Sequence, residues 1–436
     1  MLMSGCLELR HFLRSSGLAL AGGRIGAVAR RELLTRPDDH FSALDGIRAM
    51  AALLLVAFHS YVCVAHAAGE PAINTQVGHI QWLFDRSWIG VDIFFALSGF
   101  LIGRILFLQL LLEGRIRFKW FYVRRAFRIF PAYYTVLTLS LLAFAHVQMF
   151  QFIYRGATWI ELLQRSPANY LYLSNYLHGG TVPNALALSW SLCIEEHFYL
   201  LIPGMLALVF KTLGGRIRLG VLMALLTVPM FARYLAYARD SSICVLNDLY
   251  WHSHTHADGL LLGVAVAYCF VFERERMARA VVRLGSVTWL VALACFMSVF
   301  WWGGVFAHGF FPVVLQFLVL AIGSTLLVIN GLFLDNVITR FCAHPAWCPV
   351  ARVSYGLYLV HMFAILALLE VWPSSAATLL NSGAQLALFA ICAAGLAVAA
   401  STLLFLTVER PMLERGVRLS RRYTTAPELS GPIRGA

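Results

Sequence analysis

The stretch LDGIRAMAALLLVAFHSYVCVAH, residues 44–66, decides the class of fold because it is long and apolar enough for a membrane-spanning helix. A bilayer core about 30 Å thick needs roughly 20 mostly apolar residues in a helix. Comparable stretches recur along the chain: 60% of its 436 residues are hydrophobic and only 13% are charged. A soluble domain typically has about 25% charged residues. The sequence therefore predicts an all-α, polytopic membrane helix bundle.

About ten stretches qualify as membrane spans, and they occupy nearly everything after residue 45. The predicted spans are 46–66, 87–110, 130–149, 187–210, 217–236, 255–272, 285–303, 310–330, 352–372 and 384–408. The connections are mostly short and leave little room for a soluble domain. We predict a disordered cytoplasmic N-terminal extension, a single membrane domain and a basic cytoplasmic tail, at 1–44, 45–412 and 413–436.

The formal net charge of +12 follows the topology. Arginine-rich and nearly neutral connections alternate along the chain, which by the positive-inside rule places both termini in the cytoplasm. We therefore expect a multi-pass protein of the cell (inner) membrane. The same distribution argues against a nucleic-acid partner. The nine scattered cysteines predict neither a disulfide scaffold nor a zinc site.

Two polar residues interrupt the first span, with ten apolar residues between them. Arg48 and His59 lie on one helix face, about 20° apart around the axis and ~16 Å apart along it. Arg48 falls at the cytoplasmic rim, and His59 lies about 18 Å from the inner edge, beyond the midplane. Ionisable groups inside a membrane are costly and usually face a cavity or a partner, so both are candidate functional residues.

Carboxylates in other spans offer partners for this histidine. Glu195 in the fourth span is predicted about 12 Å below the outer edge, at the depth of His59. A histidine and a carboxylate at one depth can form the base and the orienting group that proton abstraction requires, although a structural histidine explains the pattern equally well. Glu196 points about 100° away from Glu195, so one of the two can be structural and the other chemical. Asp92 is a further acid in the second span.

Three arginines, Arg124, Arg125 and Arg128, lie at the start of the third span. They can anchor the topology, or they can clamp phosphate, because guanidinium forks match phosphate oxygens. Arg48 at the same rim favours the clamp. A phosphate-rich carrier held there could send a flexible arm along the first helix toward His59.

Histidines in later segments are open to several interpretations. The segment WHSHTHAD, residues 251–258, suggests metal ligands, but we predict no metal site because no third ligand can be named. His256 and Asp258 could line the same cavity as Glu195. His361 lies within another span and can be structural or functional. Aromatic and amide residues between 150 and 186 can form an interfacial belt or bind a sugar.

Together these segments resemble the acyltransferase 3 family of membrane O-acyltransferases, over residues 40–412. Arg48, ten intervening residues and His59 are similar to its first-helix signature. The other matching blocks are GVDIFFALSGFLI at 90–102, Arg124 and Arg125 with Arg128, Trp190-Ser191-Leu192 followed by Glu195-Glu196, and Ser354-Tyr355 followed by His361.

The resemblance implies transfer of an acyl group, commonly acetyl, from cytoplasmic acyl-CoA to a carbohydrate hydroxyl at the far membrane face. The carbohydrate can be a cell-surface polysaccharide, a lipopolysaccharide or another glycolipid. His59 would be the general base or a transient acyl acceptor, and Glu195 or Glu196 would orient it or the acceptor hydroxyl. The remaining candidates divide between cofactor binding and support of the substrate: Arg48, Arg124, Arg125 and Arg128 for the CoA phosphates, and Asp92, Asp258, His361 and Trp190 for support. Acyl-CoA would be a co-substrate, with no tightly bound cofactor.

Other functions remain open on the sequence alone. Macrolide acylation and succinyl transfer fit the same family. A proton-coupled transporter also uses carboxylates and histidines inside the membrane, and it predicts solute movement without acyl-CoA. One position departs from the family pattern: His256 stands two residues before Asp258, where an arginine is common.

Overall fold

The computed structural model describes residues 41–69, 79–146, 158–177, 186, 188–304 and 307–423, and these residues are helical without any β-strand. The predicted N-terminal extension lies outside these ranges except for residues 41–44, where the first helix begins. Residues 424–436 of the predicted tail also lie outside them.

The helices of the first half surround the residues singled out above. In chain order they are α1 Ser42–Ala67, α2 His79–Asp85, α3 Gly90–Glu113, α4 Phe118–His146, α5 Trp159–Tyr170, α6 Ser174–Leu177, α7 Ser189–Thr212, α8 Gly215–Leu225, α9 Thr227–Arg239 and α10 Val245–Asp248. A single 3-10 turn, Arg86–Ile89, joins α2 to α3.

The second half continues the bundle. Its helices are α11 Asp258–Phe272, α12 Arg274–Leu284, α13 Ser286–Trp302, α14 Gln316–Phe333, α15 Val337–Cys342, α16 Trp347–Arg352, α17 Ser354–Val371, α18 Ala376–Asn381, α19 Gly383–Leu404 and α20 Arg410–Arg421. One π-helical turn, Phe311–Leu315, precedes α14, and another, Phe405–Glu409, joins α19 to α20.

Within the described ranges, seven helical segments are long and apolar enough to cross a membrane, which confirms a multi-pass helical bundle. They are Ser42–Ala67, Gln81–Glu113, Ser189–Thr212, Ile217–Arg239, Phe311–Phe333, Ser354–Val371 and Gly383–Arg421. The other three predicted spans also fall on helices. One is the second half of α4, one is the 15-residue α11, and one is α13, which α12 meets at 82°. The count of ten spans stays a prediction.

Close backbone contact holds α3 against α11. A Cβ on Gly99 would lie 2.1 Å from the carbonyl oxygen of Leu260, and one on Gly263 would lie 2.4 Å from that of Ala96. Glycines at both contacts let the two backbones touch, as small residues do between membrane helices. This packing fixes the helix that carries Asp92 and Ser98.

A buried ion pair ties α9 to α11. Both terminal guanidinium nitrogens of Arg233 donate to Asp258, at 2.7 and 2.9 Å, and both side chains are fully buried. The guanidinium also donates to the carbonyl oxygens of Thr255, at 2.6 Å, and Val314, at 3.1 Å. Because the two charges are paired and fully hydrogen-bonded, they compensate each other inside the bundle. Asp258 therefore anchors the loop before α11, which is a supporting position.

Candidate active site

A cavity of about 380 Å³ lies between α1, α3, α4, α7, α17 and α20. One side is lined by apolar residues of α1 and α3, such as Leu55, Val91 and Phe94. The polar side chains that line it are Arg48, Ser98, Arg124, Arg125, Arg128, Ser191, Glu195, Tyr199, Ser354, Tyr355 and Tyr358. Five of the candidate residues named from the sequence, drawn from three helices, thus surround one space.

The four candidate arginines are together at this cavity. Arg124 lies over the ring of Trp120, at 4.9 Å, and Arg125 lies over that of Tyr199, at 5.3 Å. No ion pair among the described residues involves the other two, Arg48 and Arg128. Several positive charges around one cavity favour a ligand with several negative charges, because each guanidinium can donate to phosphate oxygens.

His59 lies one helical turn beyond Leu55, which lines the cavity, so the two residues share a face of α1. Its Nδ1 lies 2.9 Å from the Leu55 carbonyl oxygen and 3.1 Å from Nε2 of His361 on α17. The structure thereby brings together two histidines that are 302 residues apart in the chain.

This hydrogen-bond network assigns the tautomers of both rings. Nδ1 of His361 faces the carbonyl oxygens of Tyr358, at 2.7 Å, and Leu357, at 3.2 Å, so it carries a proton and donates. Nε2 of the neutral His361 ring is then an acceptor, which requires a proton on Nδ1 of His59. The network leaves Nε2 of His59 unprotonated, which is the atom that can accept a proton or an acyl group.

Glu195 has a different partner from the one that depth matching suggests. Tyr199 donates to Oε2 of Glu195 at 2.8 Å, and the Tyr199 hydroxyl also contacts the hydroxyl of Ser98. Glu195 lines the cavity beside Arg125. The imidazole of His59 contacts His361, whereas the carboxylate of Glu195 lies within electrostatic reach of Arg125 and Arg48. Tyr199 stands four residues after Glu195, and this helical spacing is the signal that could have revealed it.

Glu196 is not among the residues that line that cavity. Tyr134, Tyr172 and the cavity residue Arg125 lie within its electrostatic reach. Its buried Oε1 has no hydrogen-bond partner in the part of the chain that the structure describes. The two neighbouring carboxylates therefore have different neighbours, which agrees with the 100° step between adjacent helical residues.

Asp92 and Trp190 pack around His256. Nδ1 of His256 lies 2.8 Å from the carbonyl oxygen of Tyr250 and therefore donates to it, while Nε2 lies 3.0 Å from Oδ1 of Asp92. The ring of Trp190 stacks on His256 with centroids 5.8 Å apart. Histidine therefore occupies the position where the family often has arginine, and it pairs with the second-span aspartate.

The C-terminal helix α20 completes the cavity wall with Leu413, Gly416 and Val417. A Cβ on Gly416 would lie 2.5 Å from Cβ of Phe127, so α20 packs directly on α4. The predicted boundary at residue 412 therefore falls inside a helix, and the first residues of the predicted tail line the cavity. Sequence reasoning missed this contribution, because the basic character of the segment is typical of a surface tail.

Comparison with known proteins shows the family of the chain. The model of the acyltransferase 3 family, described as an acyltransferase domain, matches residues 41–406. Peptidoglycan O-acetyltransferase OatA of Listeria monocytogenes is 26% identical over 344 residues, which cover 73% of this chain and 48% of that protein. A protein named "Putative O-acetyltransferase" from Staphylococcus aureus is 24% identical over 349 residues, which cover 75% of this chain and 51% of that protein. The chain thus spans about half the length of these relatives. No solved structure matches it.

Proposed function

The chain belongs to the acyltransferase 3 family, and from this membership we propose that it transfers an acyl group, most simply acetyl, from acyl-CoA to a carbohydrate hydroxyl across the membrane. One observation carries the proposal. A cavity lined by four arginines lies next to a helix that presents, one turn beyond the cavity wall, a histidine with an unprotonated Nε2.

The arginines suit the donor. Acyl-CoA carries its negative charges on phosphates at one end and its thioester at the end of a long flexible arm. Arg48, Arg124, Arg125 and Arg128 would hold the phosphates. The arm would then follow the apolar wall that α1 and α3 form, toward His59, ~16 Å along α1 from Arg48. Because this end of the bundle is basic, we infer that it faces the cytoplasm and that both termini lie there.

His59 would then carry the chemistry. In direct transfer, Nε2 takes the proton of the acceptor hydroxyl while the hydroxyl oxygen forms a bond to the thioester carbonyl carbon. The carbon–sulfur bond breaks, and the CoA thiolate receives the proton from the imidazolium. In the alternative route, Nε2 forms a bond to the thioester carbonyl carbon and CoA leaves as the thiolate. The acceptor hydroxyl then takes the acyl group from Nε2, and the hydroxyl proton goes to the thiolate. His361 orients the ring in both routes by accepting the hydrogen bond from Nδ1.

The proposed acceptor class is a glycan of the cell envelope. The Listeria relative is named a peptidoglycan O-acetyltransferase, which makes an N-acetylated polysaccharide the first acceptor to test. Other cell-surface polysaccharides, glycolipids and macrolides are acceptors that the same chemistry would serve, and succinyl is an alternative acyl group.

Purified protein in liposomes, supplied with labelled acetyl-CoA on the arginine side and peptidoglycan fragments on the other, tests the proposal. We expect label on the glycan and free CoA in equal amounts, and neither product from the His59→Ala protein. Movement of a solute without consumption of acetyl-CoA would instead support a proton-coupled transporter. The loss of both products in His59→Ala protein that still binds CoA would separate chemistry from folding.

A further inference from the structure

A second cluster of polar and aromatic side chains is built from residues that do not line the cavity. It is built by the segment from Tyr172 through α6, by His197 on α7, and by the loop before α11. This part of the chain follows the far end of α4, whose beginning carries the arginines. The cluster is therefore displaced along the bundle from the arginines, toward the opposite face.

Hydrogen bonds fix the framework of this cluster. The side-chain amide of Asn175 donates to the carbonyl oxygen of Trp251, at 3.2 Å, and to Oγ of Ser253, at 3.0 Å. Oγ of Ser253 also lies 2.8 Å from Nδ1 of His197. Three segments that are distant in sequence are thus held together by side chains and not only by apolar packing.

Several buried polar atoms of the cluster have no hydrogen-bond partner within the described ranges. They are Oδ1 of Asn175, Nε1 of Trp251, the hydroxyl of Tyr172 and Oε1 of Glu196. Leaving such atoms without partners costs free energy, so their concentration in one neighbourhood indicates a ligand. The indole can only donate, the amide oxygen can only accept, and the hydroxyl can do both. A ligand that satisfies them must offer donors and acceptors close together.

The backbone is strained at the same place. Tyr172 has φ of 56°, the only positive value for a residue other than glycine among the described residues. Its ring stacks on that of Tyr133, with centroids 4.5 Å apart and planes 25° apart. Strained conformations that packing enforces are concentrated at ligand sites, because they position a group that relaxed backbone would not.

An aromatic rim borders these atoms. Tyr176 is 44% exposed, and its ring is parallel to that of His254 within 10°. The Tyr176 hydroxyl lies 3.0 Å from Nδ1 of His254, and His252 packs against the same tyrosine. Burial lowers the pKa of both His252 and His254, which keeps the rim uncharged near neutral pH. Within the described ranges, no group of three metal-ligating side chains is present.

We propose that this cluster, with Tyr172, Asn175, Tyr176, Glu196 and Trp251 as its binding groups, is the acceptor subsite and takes a neutral, N-acetylated oligosaccharide. An oligosaccharide has the required mixture: hydroxyls that donate and accept, an acetamido group with one donor and one acceptor, and a C–H face that packs on aromatic rings. No arginine is among these five groups, so none of them can clamp the phosphates of the anionic donor. The identity of the ligand rests on the proposed function.

Binding measured without catalysis tests the subsite. Protein in nanodiscs is titrated with a soluble chito-oligosaccharide and, separately, with a malto-oligosaccharide, which lacks acetamido groups; tryptophan fluorescence and calorimetry report binding. We expect the chito-oligosaccharide to bind more tightly, and Tyr176→Ala to weaken it about tenfold, as loss of one aromatic anchor does. Tyr234→Ala is the matched control, because Tyr234 is 47% exposed but lies on α9. It should bind the sugar as the unchanged protein does.

Two further variants make the outcome decisive. Glu196→Gln and Trp251→Phe should each weaken sugar binding several-fold while leaving CoA binding unchanged, and His59→Ala should bind the sugar normally. If the Tyr176, Glu196 and Trp251 variants all bind the sugar normally and the protein acetylates glycan, the proposed subsite is wrong and the proposed function stands. Tyr176-dependent sugar binding in protein that never transfers acetyl would support the subsite and overturn the proposed function.

Discussion

The cavity and the second cluster differ in charge and in the state of their polar groups. On the cavity side, four arginines surround Glu195, whose carboxylate is already hydrogen-bonded to Tyr199. Glu196 does not line the cavity: Tyr134, Tyr172 and Arg125 lie within its electrostatic reach, and its buried Oε1 has no partner among the described residues. Four arginines thus line the first region, and none is among the binding groups of the second. The contrast fits an enzyme that holds an anionic donor and a neutral acceptor apart until one histidine joins them.

The largest expected effect comes from the group that serves both regions. His59→Ala should lower acetyl transfer by about 10³-fold or more, since general-base catalysis contributes roughly 10²–10⁴-fold. Binding of CoA and of oligosaccharide should both persist, because neither region contains the imidazole. Labelled acetyl transfer and two separate titrations measure this. His66→Ala, on the same helix, is the control and should keep full activity. If the His59→Ala protein failed to bind CoA or the oligosaccharide, the separation into two binding regions would be wrong.

Removing the orienting histidine should have the next largest effect. His361→Leu removes one of the two acceptors that face Nδ1 of His59 and leaves only the carbonyl oxygen of Leu55. The ring is then held less firmly, and we expect kcat to fall roughly 10–100-fold, the usual range for partners that orient a reacting group. KM values for both substrates should stay near normal. His361→Gln, whose amide oxygen can accept the same hydrogen bond, should recover part of kcat. Equal kcat in the leucine and glutamine variants would mean that His361 only fills space.

The cationic side is tested by Arg125→Gln and Arg128→Gln. Each should raise KM for acetyl-CoA about tenfold, because a charge-assisted hydrogen bond contributes about 1.5–3 kcal/mol. KM for the glycan should not change. Since salt screens partly exposed charges, the KM of the unchanged protein should itself rise with ionic strength. Arg276→Gln is the control, as its side chain is 65% exposed on α12. An equal rise in the glycan KM would show that the two ligands share these arginines.

The smallest and most discriminating effect concerns the adjacent carboxylates. Glu195→Gln should change the acetyl-CoA KM or kcat by a few-fold, through Tyr199 and Arg125, and leave glycan binding unchanged. Glu196→Gln should instead weaken glycan binding and leave the acetyl-CoA KM unchanged. Steady-state kinetics with each substrate varied in turn measures both. If both variants altered the same substrate's KM, the two carboxylates would not belong to separate regions as we infer.

Local sequence patterns predicted the helices and the arginine cluster well, because apolar length and guanidinium position are properties of single segments. The contact between His59 and His361 could not be predicted in this way. It joins α1 to α17, and the choice of neighbouring helices depends on packing over the whole bundle. The family motif marked His361 as important without assigning its partner.

The depth match of Glu195 with His59 shows a second limit. It assumed that α7 begins at the outer edge of the membrane. In the structure Ser189, the first residue of α7, is fully buried and its hydroxyl contacts Asn169 and Ser174. The first residue of α7 is therefore packed among protein side chains and does not by itself mark the outer edge of the membrane, so the matching depth of Glu195 and His59 stays a prediction. Depth estimates hold only for helices that begin at the lipid boundary.

The contact between Gly416 and Phe127 sets a practical limit on fragments of this protein. The family match ends at residue 406, before the π-helical turn is complete and before α20 begins. A fragment cut there would retain every motif that identifies the family and would lose the wall that Leu413, Gly416 and Val417 provide. Expression designs should extend through residue 421, where α20 ends.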